Sequence, residues 1–277
     1  MRNLPDPREP VIFTPFSQAK SFDDMVNRLH GKDDAAYPRR CGFESQPDDV
    51  WDGRVWGGTA RWQWTGQRLA KIWFVPVDVP DEEGNWGEFA ERIEEIDAGF
   101  KELGFDVEIY QDGSSKELIE MLQGRADYRL IAAHGNSAEG IRAADRHVSW
   151  VEIEDSIGAT GLLNMVSCWS FGAYCSDEDE DDGYPFHHGL AHAGCSAAIL
   201  CHGVGHYFRG KIKTGRVFEI ERLLWVLERC LEVGLRRAIE EYRDGYESML
   251  GKHDASILVD HEVAVGDPDW GISNCVA

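Results

Sequence analysis

The chain of 277 residues sets 50 acidic side chains against 28 basic ones, a formal net charge of −22. That surface repels nucleic-acid backbone, so direct nucleic-acid binding is not expected. A hydrophobic share of 43% is that of a folded globule, large enough for one α/β domain or one domain with a subdomain.

Residues 1–68 form an N-terminal extension rich in Pro, Gly and Asp, with Trp51, Trp56, Trp62 and Trp64. The stretch "WDGRVWGGTARWQWTGQ" alternates aromatic and polar positions around glycines and predicts a small hairpin. Its tryptophans are expected to pack this layer onto the main domain, residues 69–277.

From Leu69 the pattern becomes regular. "LAKIWFVPVDV" is an apolar, β-branched run suited to a buried strand, with Pro76 at its far end. Phe89, Ile93, Ile96, Phe100 and Leu103 recur at helical spacing, and Gly104 stands where a left-handed cap would close that helix. "FDVEIY" alternates as a second strand. Ser114 with Glu117 predicts a capping box opening the helix of "SSKELIEMLQ". Next comes "YRLIAAHGN", an apolar strand stopping at His134-Gly135, and later "LLNMVSCWSF", a second one stopping at Cys168. "SAAILCHG" reads as a further strand. "RVFEIERLLWVLERCLEVGLRRAIEEYRDGYESML" is one long helix or two, and "ASILVDHEVAVGDPDW" closes with a strand or hairpin. Alternation of strand and helix implies an α/β fold: a mostly parallel central sheet with helices on both faces. Chemistry in such sheets gathers at the carboxyl ends of strands, where both His134 and Cys168 fall.

A thiol attacks as thiolate and needs a neighbouring base. His134 can take that proton and return it to a leaving amine. The backbone N–H groups of Gly135 and Cys168 are candidate donors to a developing oxyanion. Trp169, beside the thiol, and Asp177, at the head of the acidic run 177–182, are candidate substrate-pocket residues.

In the order of these motifs the sequence resembles the caspase-like cysteine peptidases, the clan of caspases, gingipains, separase and CHAT domains, and is closest in pattern to the CHAT and gingipain type. The resemblance rests on "LGFDVEIYQDGSSKELIEMLQ", "YRLIAAHGN", "LLNMVSC", "GLAHAGCSAAILCHGVGHY" and "VAVGDPDW", and covers residues 69 to 271. It implies a caspase-like sheet, His134 as general acid/base and Cys168 as nucleophile. It also implies a protein substrate, an activating protein partner, no cofactor, and a role in regulated proteolysis such as antiviral defence or cell death. The caspase tag Gln-Ala-Cys is absent, since Val166-Ser167-Cys168-Trp169 stands there, so cleavage after Asp is not implied. The acid excess suits an Arg or Lys at the cleaved position instead. The alternative is a catalytically inactive caspase-like binding or scaffold protein.

Other assignments compete. His188-Gly189 and His202-Gly203 also read as His-Gly, but both follow Cys168, whereas the family places His first. Cys175 has no strand before it. Cys168, Cys175, His187, His188, His192, Cys195, Cys201, His202 and His206 crowd one region, but without Cys-x-x-Cys or His-Glu-x-x-His spacing, and no metal is expected. Seven cysteines without a regular framework suggest free thiols. The start, MRNLPDPREP, lacks an apolar signal segment and no run approaches bilayer length, so a cytoplasmic protein off the membrane is expected.

Overall fold

The apolar runs form one six-stranded sheet. The computed structural model describes residues 1–5, 61–75, 92–136, 139–167, 170–171, 174–175, 184–201, 208–209, 212–213, 216–251 and 262–272. In chain order, β1 (Arg68–Phe74) leads to α1 (Ile93–Glu102), β2 (Phe105–Tyr110), α2 (Ser115–Leu122) and β3 (Ala126–Ala132). Three short strands follow, β4 (Gly135–Asn136), β5 (Gly140–Arg142) and β6 (His147–Val148), then α3 (Trp150–Ser156) and β7 (Thr160–Val166). Beyond these come β8 (Tyr174–Cys175), β9 (Tyr184–Pro185), α4 (Phe186–His192), β10 (Cys195–Cys201), β11 (Phe208–Arg209) and β12 (Ile212–Lys213). The chain continues through α5 (Arg216–Val233) and α6 (Leu235–Leu250) to β13 (Glu262–Gly266).

The sheet order is β13-β10-β7-β3-β1-β2, parallel throughout except for β13 against β10. All seven residues of β3, β7 and β10 are buried, which is why they read as continuous apolar runs. Edge strand β2 keeps an alternating pattern because one side meets solvent. Two cores result. One face packs Ile72, Tyr128 and Leu162 against α1, α5 and α6; the other packs Ile131, Leu163 and Ala198 against α2, α3 and α4. The α/β sheet with helices on both faces is therefore the fold.

Local signals explain the helix ends. Gly104, at φ +83°, closes α1 as its position predicts. Ser114 caps α2 by accepting from Glu117 N, but the Glu117 carboxylate turns to Asp112 N (2.7 Å), so only half of the expected box forms. Gly234, at φ +85°, divides the long helical run into α5 and α6. Phe89, Pro76 and residues 51–60 lie outside the described residues. Residues 61–67 of the expected hairpin carry no strand before Arg68. They run onto the first core: the Trp62 indole N–H donates to Asp127 (2.8 Å), and Trp64 packs on Phe105 and Trp270.

Gly266-Asp267-Pro268 ends β13 beside Ala197, at the end of the sheet away from His134. Asp267 N donates to Ser196 O (2.8 Å), and the Asp267 carboxylate accepts from Asp269 N (3.0 Å). This motif closes the base of the sheet. Burial holds the Asp267 carboxyl above the ordinary carboxylate range. The folded state therefore binds this proton more tightly than the unfolded chain, and stability falls as pH rises from the ordinary range through the raised value. Asp267→Asn is expected to remove that decline, read from urea unfolding between about pH 4 and about pH 7.

Arg129 is fully buried within β3, yet its donors meet only neutral acceptors. They reach Met121 O (3.2 Å), Gln123 O (3.1 Å) and Gly124 O (2.8 Å) at the end of α2, Gly158 O and Ala159 O (both 3.4 Å), and the Thr160 hydroxyl. The guanidinium thus ties the end of α2 to the start of β7, and burial pulls its pKa down to about 10. Arg129→Met would take the guanidinium donor from the Met121 and Gly124 carbonyls, while Gln123 O, Gly158 O and Ala159 O keep Lys71, Thr160 and Ala126 as donors. It is expected to cost on the order of 3 kcal/mol or more, measured as a lowered urea midpoint.

Candidate active site

The described part of the candidate site lies at the carboxyl ends of β3 and β7. These strands pair in parallel from Ala126↔Thr160 to Ala132↔Val166, and Ala133 N extends the pairing by donating to Val166 O (3.3 Å). His134 stands two positions beyond Ala132 and is half-buried. Cys168 is two positions beyond Val166 in the chain. Cys168, Trp169, Asp177 and His202 lie outside the described residues.

The residues on either side of 168 and 169 are firmly held. Ser167 and Ser170 are buried. The Ser170 hydroxyl donates to Ser167 O (3.3 Å) and accepts from Cys201 N (2.7 Å), while Phe171 N donates to Cys201 O (3.0 Å). Ser170 and Phe171 are thereby fastened to the end of β10, and Phe171 stacks on His187 with ring centroids 4.8 Å apart.

On the imidazole side, the chain leaves β3 and enters a three-stranded antiparallel sheet, β4-β5-β6. Arg142 N donates to His134 O (2.8 Å), which makes positions 134 and 142 a hydrogen-bonded pair. Antiparallel pairs alternate, so the next pair, Gly135↔Ile141, is a non-hydrogen-bonded one and the Gly135 N–H points away from β5. An amide so turned is what an oxyanion donor beside the imidazole requires. The Trp150 indole N–H donates to Asn136 O (3.1 Å), and the Asn136 side chain accepts from Glu139 N (2.6 Å) while donating to the Glu139 carboxylate (2.7 Å). His147 Nε2 lies 3.5 Å from that same carboxylate.

The competing residues stand elsewhere. His188-Gly189 falls inside α4, not at a strand end, and a Cβ at Gly189 would come within 2.2 Å of Glu154. That glycine serves helix packing. Cys175 lies in the two-residue strand β8, paired with Tyr184 of β9 across the acidic run. Cys195 is buried in β10, its thiol pushed up to about 12 by burial, so it is an inert core residue rather than a nucleophile or thiolate ligand. Among the described residues no three His, Cys, Asp or Glu side chains gather as a metal site, and no helix is long and apolar enough to cross a membrane.

Sequence reading missed the β4-β5-β6 sheet and α3. The strands are too short to show a period. A signal for α3 did exist: Ser149 and Glu152 form a complete capping box at its start. Ser170 gave no signal, because its partners are backbone groups of distant residues.

The sequence matches no protein-family model and no curated protein. Among solved structures, the chain is similar to the Arg-specific cysteine proteinase gingipain R (12% identity, TM-score 0.45), covering 73% of this chain and 46% of that one. It is similar also to the complex of the pro- and mature domains of RgpB from Porphyromonas gingivalis (15%, TM-score 0.42; 74% and 48%). A third is the separase–securin complex of Saccharomyces cerevisiae (13%, TM-score 0.41; 72% and 12%). The chain thus spans less than half the length of each of these three proteins.

Ser170→Ala would leave the buried Cys201 N–H without its hydroxyl acceptor. The substitution is expected to lower the free energy of unfolding by about 1–3 kcal/mol, measured by urea titration.

Proposed function

We propose that this protein is a caspase-like cysteine endopeptidase whose dyad is His134 and Cys168. One observation carries the reading: β3 and β7 are adjacent and parallel, their register runs to Ala132↔Val166, and the imidazole and the thiol each follow two positions later. Equal offsets beyond a shared register favour neighbouring positions at one rim of the sheet. The outward-turned Gly135 N–H supports the same reading.

In this mechanism His134 takes the Cys168 proton and the thiolate attacks the scissile carbonyl. The carbonyl oxygen becomes an oxyanion held by the amides of Gly135 and Cys168. Collapse expels the amine, protonated by the imidazolium, and leaves a thioester on Cys168. Water, deprotonated by His134, then attacks the thioester, releases the acid product and restores the thiol.

Residues 69–277 form the peptidase domain in this reading, with residues 1–68 as an extension packed on it. Trp169 and Asp177 line the substrate pocket. The net charge of −22 suits a target cleaved after a basic residue. A specific protein target, control by a protein partner, and a CHAT-like part in cytoplasmic defence or cell death complete the proposal.

Fluorogenic peptides carrying Arg, Lys, Asp or Asn at the cleaved position test it. Hydrolysis after Arg or Lys is expected, with kcat/KM falling on the order of 10³-fold or more in both Cys168→Ala and His134→Gln. A peptidyl electrophile should label Cys168 in the parent chain and in neither variant. A parent chain that cleaves none of the peptides and resists labelling would favour the inactive scaffold instead, and a clear Asp preference would overturn the basic specificity.

A further inference from the structure

The His134-Gly135 segment belongs to a sheet too small to hold its own shape. Its strands are two or three residues long, and an isolated ribbon of that size is not stable in water. Its position comes from the burial of Ile141, Ala143 and Val148 in one core with Trp150, and from polar anchors that fix its ends. The indole of Trp150 holds Asn136 O, near the segment itself. Arg146 forms a two-pronged pair with Glu152 at the start of α3 (2.9 and 2.8 Å). The third anchor is at the β5–β6 turn, where Asp145 receives Ser115 N on one carboxylate oxygen and the Ser115 hydroxyl on the other, both at 2.7 Å. Ala144 N donates to Gly113 O (2.9 Å) beside it.

We propose that Asp145 is a positioning residue for His134 and Gly135, fixing the β4-β5-β6 sheet to the first turn of α2. The inference rests on the dyad reading given above. The connection is short: Asp145 sits in the turn closed by Ala143 N donating to Arg146 O (2.9 Å), that turn ends β5, and Arg142 of β5 donates to His134 O. Ser115 is part of a helix packed on the sheet through Leu118, Met121 and Leu122, so the anchor reaches a rigid element. Asp145 itself is exposed, and its removal opens no cavity in the core. Catalytic groups need placement to within about 0.5 Å, and a misplacement of about 1 Å costs on the order of a hundredfold in rate. The two Ser115 hydrogen bonds, the side-chain one first, also hold the Asp145 carboxyl below the ordinary carboxylate range.

The test compares the full chain with Asp145→Ala and Asp145→Asn by hydrogen-exchange mass spectrometry, peptide kinetics and thermal unfolding. In Asp145→Ala, exchange across residues 134–148 is expected to rise about tenfold, while Tm stays within about 3 °C. On the best peptide, kcat should fall about tenfold with KM within about twofold, and Asp145→Asn, which retains an acceptor, should recover part of the loss. Unchanged exchange at 134–148 would overturn the anchor. Raised exchange with unchanged kcat would overturn the positioning role. A parent chain that neither cleaves peptides nor is labelled at Cys168 would instead sink the dyad and the catalytic half of this inference, with exchange still deciding the anchor.

Discussion

The register between β3 and β7 is the constraint on which the rest depends. Both strands are buried on both faces, so apolar packing alone would tolerate sliding one along the other. Polar contacts at fixed positions prevent it. Asn164 of β7 donates to the Tyr128 hydroxyl of β3 (3.1 Å), and the Arg129 guanidinium donates to the Thr160 hydroxyl. A slip would leave these groups sealed in the core without partners, at about 1–3 kcal/mol for each. The register they enforce decides how the two strands end, and so where the chain beyond each strand begins.

From that fixed start, each arm of the rim is restrained differently. After β7, the Ser170 hydroxyl and the Phe171 amide are fastened to the backbone of Cys201 at the end of β10, the next strand in the sheet. After β3, the chain departs into a small sheet held from outside by side chains of α3 and by the first turn of α2. The first restraint is buried and continuous with the core. The second adds polar contacts nearer the surface to the packing of Ile141, Ala143 and Val148 in the core, so the imidazole side carries more side-chain polar contacts than the thiol side does.

Much of the fold was legible because burial on both faces writes itself as apolar runs. "FDVEIY" predicted β2 with its bounds, and Ile96 and Phe100 line the buried face of α1 as their spacing implied. Gly104 marked a helix end, and β3 and β7 stop two positions short of the His134 and Cys168 at which the sequence reading ended them. What could not be read was polar and local. Arg129 in "ADYRLIA" gives no hint of burial, since its partners are carbonyls contributed by other segments. Asp127 holds Trp62 and the amide of Leu69, residues some sixty positions earlier in the chain. The strands around Gly135 contain two or three residues, below the length at which alternation means anything. The acidic reach from Asp177 to Asp182 and the thiol at 168 fall outside the described residues, so their part rests on chemistry and chain position.

The manner in which Arg129 is satisfied has an effect on how dissolved ions act on the protein. Mobile ions weaken attraction or repulsion between exposed charges, and this surface is dominated by carboxylates that repel one another. The contacts of Arg129 are between a sealed cation and oriented peptide dipoles, which electrolyte cannot enter. Electrolyte therefore acts on the mutual repulsion of the anionic exterior and leaves the sealed Arg129 clasp untouched.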